Sequence, residues 1–257
     1  MPSKLPILTF HSIDDLGLVT SFSPALFDQA LASLAARGYR TLGLAELIEH
    51  LRERRPFPER ALMITFDDGH ASVYQRALPT LLRHGMRATI FLTVGAPAQA
   101  GPEAERLPPF EGRPLLSWRE LEELRDAGME LGAHTLTHPD LTRLDHPAIE
   151  RELAGAKEAI EARLGVPVRA LAYPYGRHDA RVRAIAAARF SCAFSDRLGL
   201  VTTRDDALAL PRVDAYYLRT PRRFRRFLSP RFPWYLAVRG VARRVRRTLV
   251  QRPRSHP

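Results

Sequence analysis

Several features are missing from this sequence, and each absence removes a class of protein. No stretch approaches the roughly 18 consecutive apolar residues of a membrane-spanning helix, which excludes such a span. The opening, MPSKLPILTF, enters a strand-like run almost at once. It has neither the apolar stretch of about 7–15 residues nor the small-residue cleavage site of a secretory leader. As given, the chain therefore reads as a protein left in the cytoplasm, at most peripheral on the inner membrane face. One cysteine, Cys192, excludes an internal disulfide. Inside the apolar run Phe190–Phe194 it reads as a buried structural thiol. No GxGxxG, and no GxxxxGK followed by Ser or Thr, comes after a strand-like run, so nucleotide-binding α/β folds lose support. Finally, acidic residues and lysine are both absent from residues 215–257, which contain 13 arginines.

That last absence divides the chain. The net charge is +11, but residues 215–257 alone carry +13, so the body up to residue 214 is slightly acidic, at −2. The basic character belongs to a C-terminal appendage. The sequence accordingly splits into a globular domain at 1–218 and an Arg-rich amphipathic tail at 219–257. With 257 residues, 45% apolar and 26% charged, the body is large enough for one sizeable core.

Within the body, short apolar runs alternate with helix-period segments. Strands are expected at 6–10, 39–41, 61–66, 88–94, 130–133, 170–173, 190–194 and 208–213. Helices are expected at 24–36, 44–54, 71–84, 117–126, 146–164 and 179–189, with Ser23-Pro24 as a start signal and Gly85, Gly128 and Gly165 as stops. This alternation argues for parallel βαβ units, closed as a barrel or open as a doubly wound sheet. Chemistry in such folds gathers where strands end. His11, Asp67 with Asp68, His134 and Tyr175 each follow a different expected strand.

In TFDDG (Thr65–Gly69), two carboxylates close an apolar strand and a glycine allows a sharp turn. By itself the motif also describes a surface turn. In HTLTH (His134–His138), two imidazoles four apart precede Pro139, which disfavours a helix. Alone these are ordinary loop histidines. Joined to a carboxylate from another strand end, they make the two-His, one-carboxylate set of open metal sites. An ion held there acidifies water or polarises a carbonyl.

TFDDG, then HTLTH with HPDLTRL, then YPYG (Tyr173–Gly176) resemble the polysaccharide deacetylase family, the NodB-homology domain or carbohydrate esterase family 4. The resemblance spans roughly residues 5–215 and implies an α/β fold, a distorted (β/α)7-type barrel. It implies one divalent metal, usually Zn2+ with Co2+ or Ni2+ as alternatives, held by Asp68, His134 and His138. It also implies Asp67 as general base and the backbone N–H of Tyr175 as an oxyanion donor. Two departures stand out. The arginine of the usual third motif is replaced by Ala172, as in the subgroup reading FAYPYG, and the usual late histidine acid is missing, since only His256 follows His178. The chain thereby resembles circularly permuted members, whose acid histidine lies on an N-terminal strand, and His11 is the candidate here. Arg212 in LPRVD is the candidate substitute for the arginine, with Asp214 nearby.

The expected activity is removal of an N-acetyl or N-formyl group from a carbohydrate, with a lipid-linked or nascent polysaccharide precursor among the candidate substrates. The alternatives are an esterase or amidase acting on a non-sugar substrate, or an inactive barrel that only binds glycan. In the tail, Trp234, Val238, Val241, Ala242, Val245 and Leu249 recur at helical spacing with arginines between them. Such a basic amphipathic helix suits an anionic membrane surface. No nucleic-acid motif is present, and nucleic acid is the weakest partner on this reading.

Overall fold

The computed structural model describes residues 4–96, 105–229 and 231–240. Its elements are β1 (Ile7–Phe10), β2 (Ser12–Ile13), β3 (Ser21–Phe22), α1 (Pro24–Ala35), β4 (Arg40–Thr41), α2 (Leu44–Arg52), β5 (Ala61–Phe66), α3 (Leu78–Arg83), β6 (Thr89–Leu92), α4 (Trp118–Asp126), β7 (Glu130–Ala133), α5 (His146–Leu164), β8 (Ala170–Ala172), α6 (Ala180–Ala187), β9 (Cys192–Leu198), β10 (Leu210–Asp214) and α7 (Pro221–Phe227). Among the described residues, no helix is long and apolar enough to cross a membrane.

Seven strands close a ring in the order β1, β5, β6, β7, β8, β9, β10, and every neighbouring pair is parallel. The closing strand is β1. Leu8 pairs with Ile64 of β5 on one side and with Val213 of β10 on the other. Thus the fold is an α/β barrel with seven strands. The run at 39–41 forms β4, which pairs only with the start of β5 and stays outside the ring.

Alternation along the strands explains both cores. Ile7, Met63, Phe91, Ala170, Ala172, Cys192, Phe194 and Leu210 fill the interior of the ring and its lower end. Their neighbours Leu8, Phe10, Leu62, Ile64, Phe66, Ile90, Leu92, Leu131, Leu171 and Val213 belong to a second cluster, shared with the surrounding helices. Burial pushes the thiol of Cys192 up to about 12, which makes it an inert part of this packing. One interior position must be glycine for reasons of space. A Cβ on Gly132 would lie 2.5 Å from the Phe91 ring and 3.1 Å from the carbonyl oxygen of Ala170.

Two segments depart from the expected pattern. The helix expected at 71–84 begins as a π-helical turn, Val73–Ala77, before α3. Pro79 has no N–H to give to a continuous ladder there. Between β6 and α4, residues 105–117 form a hairpin-like excursion with antiparallel bridges Arg106–Ser117 and Phe110–Arg113. Buried Leu107, Leu115 and Leu116 anchor it.

After β10 the chain stays on the barrel. Phe224 and Phe227 of α7, and Phe232 and Leu236 of the helical stretch 232–240, enter the outer core. Phe227 also packs against Tyr39, with ring centroids 6.3 Å apart. The expected apolar positions Val241, Ala242, Val245 and Leu249, like His256, lie outside the described residues.

Candidate active site

Alternation carries the chemistry upward from the core. In β5 the inward positions Ala61, Met63 and Thr65 are followed by Asp67. On β10, Leu210 is followed by Arg212, and beyond β7 the same parity brings His134 inward. All three emerge at the C-terminal ends of their strands. There a cleft of about 220 Å³ opens, lined among others by His11, Asp67, Asp68, His134, His138, Tyr175, Arg212 and Asp214. The structure thus brings together His11, Asp67, Asp68, His134, His138, Tyr175 and Arg212, the candidate site residues read from the sequence.

Asp67 and Arg212 are both buried and form a two-pronged pair, Nη1 to Oδ1 at 2.8 Å and Nη2 to Oδ2 at 2.7 Å. Arg212 Nε donates to the Ser195 carbonyl at 3.2 Å. Its guanidinium lies 6.0 Å from the Phe91 centroid and 5.9 Å from that of Phe194. Arg212 thus reaches, from β10, the carboxylate that Ala172 has no side chain to reach. Burial alone would raise the pKa of Asp67. The charge and hydrogen bonds of Arg212, helped by His134 and His11, outweigh it and hold the carboxyl below its ordinary range.

Asp68 would face away from Asp67 if the strand continued. Instead its backbone is left-handed, at φ 72°, followed by Gly69 at φ 84°. The turn ends the alternation and leaves both carboxylates at the mouth. Asp68 Oδ1 lies 3.5 Å from His134 Nε2 and 3.8 Å from His138 Nε2. Ligand atoms of the three residues all fall within 4.8 Å of one another. The Nδ1 of His134 sits 2.7 Å from the Ala172 carbonyl oxygen, which fixes the ring and leaves Nε2 facing Asp68. His138 is buried, and its Nδ1 has no hydrogen-bond partner. Its pKa is pushed down to about 4, by burial first and then by the neighbouring His134, so the ring is neutral at ordinary pH. Two imidazoles converging on an ionised carboxylate fit a divalent cation.

Left-handed backbone recurs around this mouth, at Thr135 (φ 68°), His138 (φ 59°) and Tyr175 (φ 57°). Such conformations persist only where the surroundings enforce them. Glu152 of α5 does so for the histidine loop. Its Oε2 accepts from the amides of Leu136 and Thr137, both at 2.9 Å, and its Oε1 accepts from the Thr137 hydroxyl at 2.6 Å. One turn further along α5, a Cβ on Gly155 would lie 2.7 Å from Leu136 Cδ1, so glycine is what lets that leucine seat. The exposed ring of Tyr175 packs edge-on against His138, centroids 4.7 Å apart.

Four more residues at the site had no signal in the sequence. His70 is buried, with Nε2 3.3 Å from Asp68 Oδ2. Behind it, Arg113 of the excursion lies 2.9 Å from the same nitrogen and also donates to Ser12 and Thr20 hydroxyls, each at 3.0 Å. Phe110 stands edge-on to His138 at 4.9 Å, and Glu111 reaches the cleft. Burial would raise the pKa of Asp68, but the contact with His70 and the charges of His11 and His134 prevail and lower it.

A closed seven-strand parallel barrel with a metal-competent Asp-His-His set and a buried Asp–Arg pair at its mouth defines a class of α/β-barrel site. The sequence profile of the polysaccharide deacetylase family matches residues 54–189, just over half of the chain, and the chain belongs to that family. It is 29% identical to YxkH of Bacillus subtilis over 178 residues, which are 69% of this chain and 59% of YxkH. It is 25% identical over 203 residues to a Staphylococcus aureus poly-beta-1,6-N-acetyl-D-glucosamine N-deacetylase, covering 75% of this chain and 67% of that one. The Streptococcus pyogenes deacetylase PplD, solved in complex with acetate, superposes with a TM-score of 0.73 at 25% identity. That match covers 83% of this chain and 93% of PplD.

Proposed function

We propose that this protein is a metal-dependent hydrolase that removes the N-acetyl, or N-formyl, group from a carbohydrate, with a lipid-linked or nascent polysaccharide precursor as its substrate. The observation that carries this reading is the ionised, Arg212-clamped Asp67 beside the Asp68, His134 and His138 set in one cleft. The names of the Staphylococcus aureus and Streptococcus pyogenes relatives support the reaction class.

Asp68, His134 and His138 would hold the ion, and zinc matches two imidazoles and a carboxylate best. When bound, such an ion lowers the pKa of water and polarises a carbonyl. The remaining work falls to side chains of this chain. Each oxygen of Asp67 accepts one bond from Arg212 and keeps a second lone pair, so the carboxylate takes a proton from the attacking water without losing its clamp. As the water oxygen adds to the amide carbon, the backbone N–H of Tyr175 supports the oxyanion. His11, on the wall formed by β1, gives a proton to the amine nitrogen as the C–N bond breaks. The products are a free sugar amine and a carboxylic acid.

The test is mass-spectrometric detection of acyl release from N-acetylglucosamine oligosaccharides and lipid-linked N-acetyl sugars, with and without chelator. Asp67→Asn is expected to abolish turnover while keeping the metal, and His134→Ala to lose both. Normal rates in His11→Ala would remove His11 as the acid. Acyl release unaffected by complete metal removal would overturn the metal-dependent mechanism.

A further inference from the structure

Large apolar side chains left exposed are few among the described residues, and most of them gather at one end of the barrel. Leu16, Leu18 and Val19 lie on the loop between β2 and β3, just after the first barrel strand. Tyr175 follows β8, Tyr216 follows β10 and Val238 lies near the end of the helical stretch 232–240, while Trp234, near the start of that stretch, lies on the flank and Leu82 stands apart. Loops after β1, β8 and β10 open at the mouth by topology. The end of the 232–240 stretch reaches the same rim, where the site of a Cβ on Gly240 is 3.8 Å from the carbonyl oxygen of Leu198, the last residue of β9.

Arginine joins these pieces. Arg219 donates to the carbonyls of Leu18 and Val19, and its guanidinium lies 4.9 Å from the Tyr216 centroid. A small hollow formed with Val19, Tyr216 and Arg219 shares His11, Thr20 and Asp214 with the main cleft. From there α7 runs down the flank toward Tyr39, turning Phe224 and Phe227 inward and leaving Arg222, Arg223, Arg225 and Arg226 exposed. The 232–240 stretch buries Phe232 and Leu236 but presents Trp234, 73% exposed, and Val238, 50% exposed. Its apolar residues are therefore divided between the core and solvent. With no Asp or Glu in residues 215–257, this cationic surface has no counter-charge within its own segment.

We propose that the rim of the barrel at the β2–β3 loop, together with the adjoining flank formed by α7 and the 232–240 stretch, docks on an anionic lipid bilayer. Leu16, Leu18 and Val19 would enter the boundary between headgroups and acyl chains at the rim and Trp234 would do so on the flank, while the exposed arginines of α7 between them would meet lipid phosphates. Charge complementarity and the interfacial tryptophan select this occupant over a protein groove. The proposal rests on the reading of the cleft as an active site only for its consequence, that substrate enters from the bilayer side. Docking itself requires no turnover.

Two tryptophans make the experiment direct. Trp118 is 4% exposed and Trp234 is 73% exposed, so a change in emission on adding vesicles reports Trp234. Vesicles of phosphatidylglycerol and phosphatidylcholine should shift the emission to the blue and sediment the protein, whereas pure phosphatidylcholine should do neither. In Trp234→Phe the shift should disappear. Replacing Arg222, Arg223, Arg225 and Arg226 by Gln should weaken partitioning by about a hundredfold or more. Leu16→Ser with Leu18→Ser should weaken it by about tenfold and leave acyl release from a soluble oligosaccharide unchanged. No vesicle binding at low salt overturns the proposal. So does binding indifferent to the loop substitutions, which would place the contact away from the mouth. Equal retention on heparin without a blue shift overturns it in favour of a soluble polyanion. Because vesicle binding is read without substrate, its failure would leave the deacetylase reading untouched, and absent turnover would leave the docking result standing.

Discussion

Asp68 is held from two directions, and that shapes what single substitutions should do. His134 and His138 face one of its oxygens while His70, backed by Arg113, stands against the other. His70 therefore decides which oxygen turns toward the two imidazoles, a role from behind the ligand that is commonly worth 10–100-fold, to order of magnitude, in metal affinity. His70→Leu is expected to weaken zinc binding by about that factor in a chelator-competition titration, and to alter the visible spectrum of the cobalt form. His70→Gln, which offers one donor and one acceptor, is expected to restore most of the affinity. His138 supplies a prediction in pH. Its folded value of about 4 lies below the ordinary 6.5. Between those values the unfolded chain takes up a proton that the folded chain refuses, so falling pH favours unfolding. Thermal melts of metal-free protein from pH 7 to pH 4 should therefore lose stability more steeply in the wild type than in His138→Gln. The residues that face the chemistry were legible from their types and positions after strands. Arg113 was not, because an arginine in a proline-rich loop reads as solvated, and its hydroxyl partners lie 93 and 101 positions away.

Elements were legible in proportion to how much of their pattern came from burial. The runs 61–66, 130–133 and 146–164 match β5, β7 and α5 at both ends, because apolar periodicity and clear stop signals coincide there. The expected run 170–173 passes the end of β8 by one residue, whereas 190–194 starts two residues before β9 and stops four short of its end, since the ring buries both faces and alternation in hydrophobicity fades. The excursion at 105–117 has no period at all; Leu107, Leu115 and Leu116 anchor it individually between prolines. Inside the ring, packing and chemistry share a wall. Phe91 fills the space that Gly132 leaves and also lies beneath Arg212. Gly132→Ala is expected to cost about 1–3 kcal/mol through overpacking and, by displacing Phe91, to lower turnover as well. A chemical-denaturation midpoint together with kcat would check both effects.

For the molecule as a whole, the described part of the arginine-rich segment is also a structural part of the barrel. Phe224, Phe227, Phe232 and Leu236 are buried against the helical layer. At roughly 1.5–3 kcal/mol for each apolar side chain buried, a chain ending at residue 220 should lose several kcal/mol. Its melting temperature should fall by ~10 °C, and calorimetry of the two lengths would measure this. Closure of the ring has a further consequence during synthesis. Asp67 and Arg212 are 145 positions apart, and Arg212 lies on β10, the last ring strand among the described residues to leave the ribosome. A nascent chain that has reached only β9 carries Asp68, His134 and His138, yet β1 and β9 are open edges and Asp67 has no partner for burial. One late event therefore both seals the barrel and completes the buried Asp67–Arg212 pair, so that interrupted translation yields exposed edges for the quality-control machinery instead of a closed mouth.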